Sequence, residues 1–141
     1  MNRSPRSTGA AAIAASLVLC ACHSVNPSEP AETVIAVSEF ETSGDAQPAV
    51  AQDLAAKLAA ALNADPHIKA GTETGVDGPS RDYMLKGSVY LGEQRTFVAL
   101  QLVDAKTAQR VWSENYDYRG IGTDMMAADI RAYLQTHASE N

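Results

Sequence analysis

The stretch that decides the fold runs from residue 83 to residue 118 and reads YMLKGSVYLGEQRTFVALQLVDAKTAQRVWSENYDY. Three runs rich in Val, Leu and aromatic residues are separated by short polar breaks at residues 93–95 and 106–108. β-Branched and aromatic residues suit strands, and breaks this short join antiparallel neighbours. The pattern therefore predicts a three-stranded antiparallel meander, which the rest of the folded chain must extend or cover.

Upstream of the meander, the sequence predicts a strand, a helix and a short second strand. Residues 33–40 are apolar on both alternating faces, which predicts a central strand covered on both sides. From Pro48 to Asn63 a helix is predicted, because alanines surround apolar residues that recur every four positions. That apolar stripe consists of Val50, Leu54, Leu58 and Leu62. Residues 68–72 form the second strand, parallel to the first because a helix connects the two.

Two polar segments are predicted to connect regular elements. Residues 41–45 are a turn cluster. Residues 71–81 contain three glycines and a proline, which is typical of a plain loop or of a phosphate cradle. The Gly-Lys-Ser/Thr ending of a P-loop is missing from this segment, and no helical pattern follows it.

A second helix is predicted from Thr123 to His137, where apolar residues recur at helical spacing. Gly87 in the first meander strand predicts a close approach by a helix. Together the elements predict an α/β fold: a single mixed sheet of about five strands, formed by a β-α-β unit and the meander, with a C-terminal helix. The residues expected to be buried together beneath the helices are Leu54, Leu58, Leu85, Val89 and Ile130.

The N-terminus predicts an export signal. Arg3 and Arg6 precede a short apolar run at residues 10–19, which is too short to span a bilayer. Residues 19–22, Leu-Cys-Ala-Cys, are similar to a bacterial lipobox with Cys22 as the lipidated residue. Cys20 fits less well, because Leu19 would then occupy the position that takes a small side chain. An ordinary cleaved signal peptide is the alternative.

The predicted organisation is a lipoprotein signal peptide at residues 1–21, a proline-containing tether at residues 22–32 and a folded α/β domain at residues 33–141. Lipobox processing supplies more than one acyl chain, which is what stable anchoring requires. By resemblance to Gram-negative sorting patterns, His23 after the cysteine favours the outer membrane, facing the periplasm.

The order of elements and several motifs resemble the TolB N-terminal-like domain family. The motifs are Ile35–Phe40, the Tyr-x-Leu-x-Gly strand Tyr83–Gly87, Leu102–Thr107 and Val111–Asp117. The resemblance covers about residues 33–136 and implies a domain similar to anticodon-binding-type folds. It also implies kinship with envelope proteins that are mostly non-enzymatic, such as activators of penicillin-binding proteins and flagellar or curli-secretion lipoproteins. Many members carry a helix where this chain has its glycine-rich segment.

Reaction chemistry is not evident in the sequence. The formal net charge of −6 is a poor match for nucleic acid. His23, His67 and His137 show no metal-ligand spacing, and Asp104 with Glu114 is the one carboxylate pair considered. We therefore expect a protein without enzymatic activity, metal or cofactor. The predicted role is an outer-membrane-anchored adaptor in envelope assembly, with a small-ligand or glycan-binding module and an envelope enzyme as alternatives.

The closing strand holds the candidate contact with a protein partner. Alternation puts one Trp, two Tyr and two charged residues on a single face, and Trp, Tyr and Arg dominate binding hot spots. The residues on this face are Arg110, Trp112, Glu114, Tyr116 and Tyr118. We predict contact at the end of the strand, through Tyr116, Tyr118 and Arg119. Alternatively, Trp112 and Tyr116 belong to the core, with the charged residues at its rim.

Overall fold

A computed structural model describes residues 31–73, 81–119 and 121–137, which form one mixed sheet covered on one face by two helices. The elements are β1 (Thr33–Val37), β2 (Glu41–Gly44), α1 (Pro48–Leu62), β3 (Ile68–Thr72), β4 (Tyr83–Leu91), β5 (Thr96–Asp104), β6 (Arg110–Asp117) and α2 (Thr123–His137). The predicted fold class is confirmed, with six strands instead of about five. Cys22, the predicted signal peptide and most of the tether lie outside the described residues.

The predicted meander is confirmed as β4, β5 and β6, which pair antiparallel in sequence order. The turn from β5 to β6 is held by Asp104, whose carboxylate accepts the backbone N–H groups of Lys106 and Thr107, each at 2.8 Å. Ala108 completes this turn with a φ of 57°, a conformation that costs a residue with a Cβ about 1–2 kcal/mol. A side chain that caps its own turn explains why the polar break can be so short.

The strands β1 and β2 lie end to end along β4, both parallel to it. Val37 pairs with Leu85 and Glu41 pairs with Ser88. Between these two pairs, residues 38–40 lie beside residues 86–87 of β4, so the segment between β1 and β2 has one residue more than β4. The prediction that residues 41–45 are a turn is wrong, because this polar segment re-joins the sheet after the one-residue bulge. The Ser38 N–H donates to the Leu85 carbonyl at 3.0 Å and keeps the chain against β4 through the bulge.

The bulge also places the Phe40 ring over Gly87. A Cβ at Gly87 would lie 2.8 Å from three carbons of that ring, and Phe40 is 7% exposed. The sequence predicted a close approach at Gly87 by a helix. A group does pack closely on Gly87, but it is the ring of Phe40, from the segment between β1 and β2, and not a helix.

The core lies between the sheet and the two helices. All five residues predicted to be buried together are buried in one cluster, which confirms the choice of face. The stripe on α1 begins at Ala51, whereas Val50 is 46% exposed, because a strict four-residue spacing drifts off a face that repeats every 3.6 residues.

Coverage of β1 differs from the prediction. In the described part of the chain both helices pack on the same face, so β1 is not covered on both sides. Ala36 projects to the helix-free face and is nevertheless fully buried. It lies in an inner strand between Gly71 and Met84, where a methyl group needs no second layer to cover it.

At its end, α1 is fastened to the edge strand β3 by Asn63. The Asn63 side-chain amide donates to the Ala70 carbonyl and accepts the Ala70 N–H, both at 2.7 Å. These are the backbone groups of Ala70 that point away from β1. The side chain therefore occupies the place that a further strand would take beside β3.

Candidate functional site

The helix-free face of the sheet carries a shallow row of side chains that crosses four strands. Ser88 of β4 lies opposite Ala99 of β5, and Glu41 of β2 and Asn115 of β6 extend the row on either side. Directly paired residues project to the same side of a sheet. At about 4.8 Å between strands, the row is roughly 14 Å long. We refer to the row Glu41, Ser88, Ala99 and Asn115 as the trough.

Larger side chains stand on both sides of the trough. Toward the β4–β5 turn, Tyr90 lies opposite Phe97, and these rings are 47% and 40% exposed. We call this pair the aromatic ridge. Toward the other end of the sheet, Lys86 lies opposite Gln101. Small side chains between two rows of large ones create a depression in the sheet surface.

A cavity of about 400 Å³ fills the part of this depression nearest the bulge between β1 and β2. Ser88 and Ala99 of the trough line it, together with Met84 and Lys86. Three carboxylates, those of Glu39, Glu41 and Glu73, complete its wall. The bulge therefore has a second effect besides placing Phe40, since it brings Glu39 and Glu41 to the cavity.

The charges of the cavity are only partly compensated. Glu73 pairs with Arg81, with Oε1 and Nη1 3.3 Å apart. Within residues 31–73, 81–119 and 121–137, Glu39, Glu41 and Lys86 take part in no ion pair. Two glutamates and one lysine that make no ion pair in the described chain thus line the cavity.

The structure separates the three predicted contact residues. Tyr116 is 4% exposed, and its hydroxyl donates to the Asp129 carboxylate of α2 at 2.9 Å. Burial, followed by this hydrogen bond, raises the pKa of the Tyr116 phenol well above its usual range. Tyr118 is half-buried against the core, and Arg119 is exposed. Of the three, Arg119 and the open side of Tyr118 are accessible at the end of the closing strand.

The rest of that strand face matches the core alternative. Trp112 is half-buried and packs against the core cluster, and Arg110 and Glu114 are exposed. Trp112 and Glu114 lie opposite Leu102 and Leu100, on the face that the helices cover. The aromatic residues of this face are therefore packing residues, and the charged ones form its outer rim.

His23 lies outside the described residues, and the described groups considered for catalysis or metal binding are not brought together. Glu114 lies opposite Leu100, and Asp104 follows four residues later on β5, so the backbone positions of Glu114 and Asp104 are roughly 13 Å apart along the strand direction. Hydrogen bonds from the Thr107 and Lys106 backbone lower the pKa of Asp104, consistent with its role in the turn. His137 stacks on Tyr133 with ring centroids 4.1 Å apart. Among the described residues, no three His, Cys, Asp or Glu side chains form a group that could hold a metal ion.

The trough and the aromatic ridge were missed by sequence reasoning. Alternation did place Met84, Lys86, Ser88 and Tyr90 on the face away from the helices. The missing information was the hairpin register, which sets Phe97 opposite Tyr90. Sequence reasoning also did not predict the bulge between β1 and β2, which places Glu39 and Glu41 in the lining of the cavity. The register could have been inferred from the short polar break at residues 93–95, which limits how the two strands can pair.

No protein-family model matches the chain, and no curated protein matches it by sequence. Among solved structures, it is similar to TolB from Acinetobacter baumannii, with 11% identity and a TM-score of 0.54 over 77% of this chain. The match spans 29% of that TolB chain. The predicted resemblance to the TolB N-terminal-like family is thus confirmed at the level of the fold.

Two further structures are similar at lower scores. A PelC dodecamer from Paraburkholderia phytofirmans has 18% identity and a TM-score of 0.49, covering 74% of this chain and 86% of that one. The C-terminal domain of LpoB from Salmonella enterica has 14% identity and a TM-score of 0.44, covering 64% and 84%. In the described part of the chain, no helix is both long enough and apolar enough to cross a membrane.

Proposed function

We propose that this protein is an outer-membrane-anchored, periplasm-facing lipoprotein that acts as a non-enzymatic adaptor in cell-envelope assembly through protein contacts. The observation that carries the proposal is the exposed aromatic ridge, Tyr90 and Phe97, on a sheet face that the helices leave open. Exposed apolar groups set among polar ones are typical of protein interaction sites. The lipobox at residues 19–22 and the TolB-like fold support an envelope location.

The ridge and the predicted contact lie at the same end of the sheet. Phe97 lies opposite Asp117, the last residue of β6, and Tyr118 and Arg119 follow directly. The Tyr118 N–H donates to the Thr96 carbonyl at 2.8 Å, which holds this end of the closing strand beside Phe97. Tyr118 shares the helix-covered face with Tyr116, whereas Phe97 stands on the open face. A partner that contacts Tyr118, Arg119 and the aromatic ridge would therefore wrap around this end of the sheet.

The anchor is tested by metabolic labelling with a palmitate analogue, followed by separation of inner and outer membranes. Wild type and Cys20→Ala are expected to label and to fractionate with the outer membrane. Cys22→Ala is expected to lose the label, because lipidation requires that thiol. Equal labelling of the Cys22→Ala protein would show that the anchor is assigned to the wrong residue.

The adaptor role is tested by site-specific photocrosslinking in cells. A photoreactive residue at Tyr118 is expected to give a discrete adduct with another envelope protein. The matched control is Gln135, an exposed position on α2. Adducts at Gln135 without any at Tyr118 would move the partner surface to the helices.

A further inference from the structure

We infer that the trough binds an extended segment of the partner protein that crosses the strands, with a Lys or Arg side chain between Glu39 and Glu41 and an apolar side chain on the aromatic ridge. This inference rests on the proposed function and specifies which surface and which peptide chemistry it uses. It places the partner on the helix-free face, in addition to the end of the closing strand.

Charge complementarity selects a basic side chain for the cavity. The wall carries the carboxylates of Glu39 and Glu41, which no cation of the described chain pairs with, and Arg81 already neutralises Glu73. Lys86, which lies beside the bulge, can meet an acidic side chain or a backbone carbonyl of the segment.

The dimensions fit an extended chain that runs across the strands. The trough is roughly 14 Å long, which is the span of about four extended residues. Its floor is lowest at Ser88 and Ala99, where the side chains are smallest, so a main chain can lie there between the two rows of larger side chains. Side chains leaving such a main chain alternate toward the ridge on one side and toward Lys86 and Gln101 on the other.

The aromatic ridge supplies the apolar part of the contact. Four large hydrophobic side chains are exposed in the described residues, and two of them, Tyr90 and Phe97, lie side by side here. Their ring faces suit an aliphatic or aromatic side chain, and a second cation could also rest against them. A second copy of this chain is a poor occupant of the trough, because the trough calls for a basic segment and the chain carries a net charge of −6.

The experiment uses the full-length, membrane-anchored protein in cells, with a photoreactive residue at Gln101 on the wall of the trough. Adducts are compared in three backgrounds: wild type, Glu41→Lys and Glu114→Lys. Glu114 is the matched control, because it is exposed but lies on the helix-covered face of the sheet. The two Glu→Lys variants change the net charge by the same amount. Urea unfolding of each purified variant first establishes that it folds like the wild type.

We expect a protein adduct at Gln101 in the wild type, a decrease of about tenfold in Glu41→Lys, and a change of less than about twofold in Glu114→Lys. Phe97→Ala should lower the yield about fivefold, through loss of the ridge. Peptide mapping of the adduct should place the cross-link within four residues of a Lys or Arg in the partner.

Three results would overturn the inference. Protein adducts at Tyr118 with none at Gln101 would leave the adaptor role intact and remove the trough from it. Equal yields in the two charge variants would show that charge does not select the occupant. A Gln101 adduct that a glycan hydrolase shortens would identify a saccharide as the occupant. Absence of protein adducts at Tyr118, Gln101 and Gln135 alike would instead refute the proposed function itself.

Discussion

Replacing Gly87 with alanine tests how closely the core is packed beneath the bulge. The added methyl group would lie 2.8 Å from three carbons of the Phe40 ring, a separation that real side chains do not tolerate without movement. Phe40 is 7% exposed and held within the core cluster, so the strand or the ring must shift. Overpacking of this kind costs about 1–3 kcal/mol. Replacing glycine in a strand returns about 0.5–1 kcal/mol of chain entropy, which leaves a net loss of about 1 kcal/mol when the middle of each range is taken.

Urea unfolding followed by the fluorescence of the single tryptophan, Trp112, measures this loss directly. With a slope of about 2 kcal/mol per molar urea, the midpoint of Gly87→Ala should fall by about 0.5 M. The matched control is Gly122→Ala, because a Cβ at Gly122 meets nothing within 4 Å. Its free energy of unfolding should stay within about 0.5 kcal/mol of the wild type.

A double variant decides whether the Phe40 ring is the cause. If it is, Phe40→Leu should remove the clash, and Gly87→Ala should cost about 1 kcal/mol less in that background than in the wild type. Strictly additive losses would refute the assignment, and so would a Gly87→Ala protein that unfolds together with the wild type.

Three further changes test other features of the fold. Asn63→Ala should lower the free energy of unfolding by about 1–3 kcal/mol, because it leaves the N–H and carbonyl of Ala70 without their hydrogen-bond partners. A loss below about 0.5 kcal/mol in urea unfolding would contradict the role of Asn63 in fastening α1 to β3. Ala108→Gly should raise it by about 0.5–1 kcal/mol, since glycine adopts the observed φ of 57° without strain, and an unchanged midpoint would count against that turn geometry. Burial raises the pKa of Tyr83 as well as that of Tyr116, with the larger shift at Tyr116. The contribution of Tyr116 to stability is complete below the unfolded pKa of about 10 and is lost as pH rises further. Alkaline absorbance titration of the five tyrosines should therefore show two that ionise late, and the later of the two should disappear in Tyr116→Phe. A titration in which the variant loses an ordinary, early-ionising tyrosine would place Tyr116 in water.

Local pattern was sufficient for the elements that carry a clear period. The runs of β4, β5 and β6 alternate over eight or nine residues, and α1 repeats over fifteen, so each shows its type and its buried face in the sequence alone. The sequence could not show that Tyr116 is buried, for a physical reason. Alternation indicates that a residue shares a face with Trp112, but only the position of α2 shows that this face is the buried one.

The bulge between β1 and β2 could not be predicted by the same means. Glu41–Gly44 is polar and short, and it is a strand only because the chain meets β4 again after Phe40 packs on Gly87. That contact joins residues 47 positions apart, and nothing in the local composition encodes it. The cavity and its carboxylates depend on the same long-range event, which is why the trough emerged only in three dimensions.

The Asn63 clamp has a consequence for how copies of this domain can associate. On the outer edge of β3, the side chain already takes both outward groups of Ala70, and the Ile68 N–H donates to the Asp65 carbonyl at 3.1 Å. The opposite edge is β6, whose Ser113 and Asn115 point their backbone groups outward, because Tyr118 and every second residue before it bond to β5. Of these two described edges, β6 is therefore the one open to a further strand, so a second copy that extends the sheet at one of them would add beside β6 rather than beside β3.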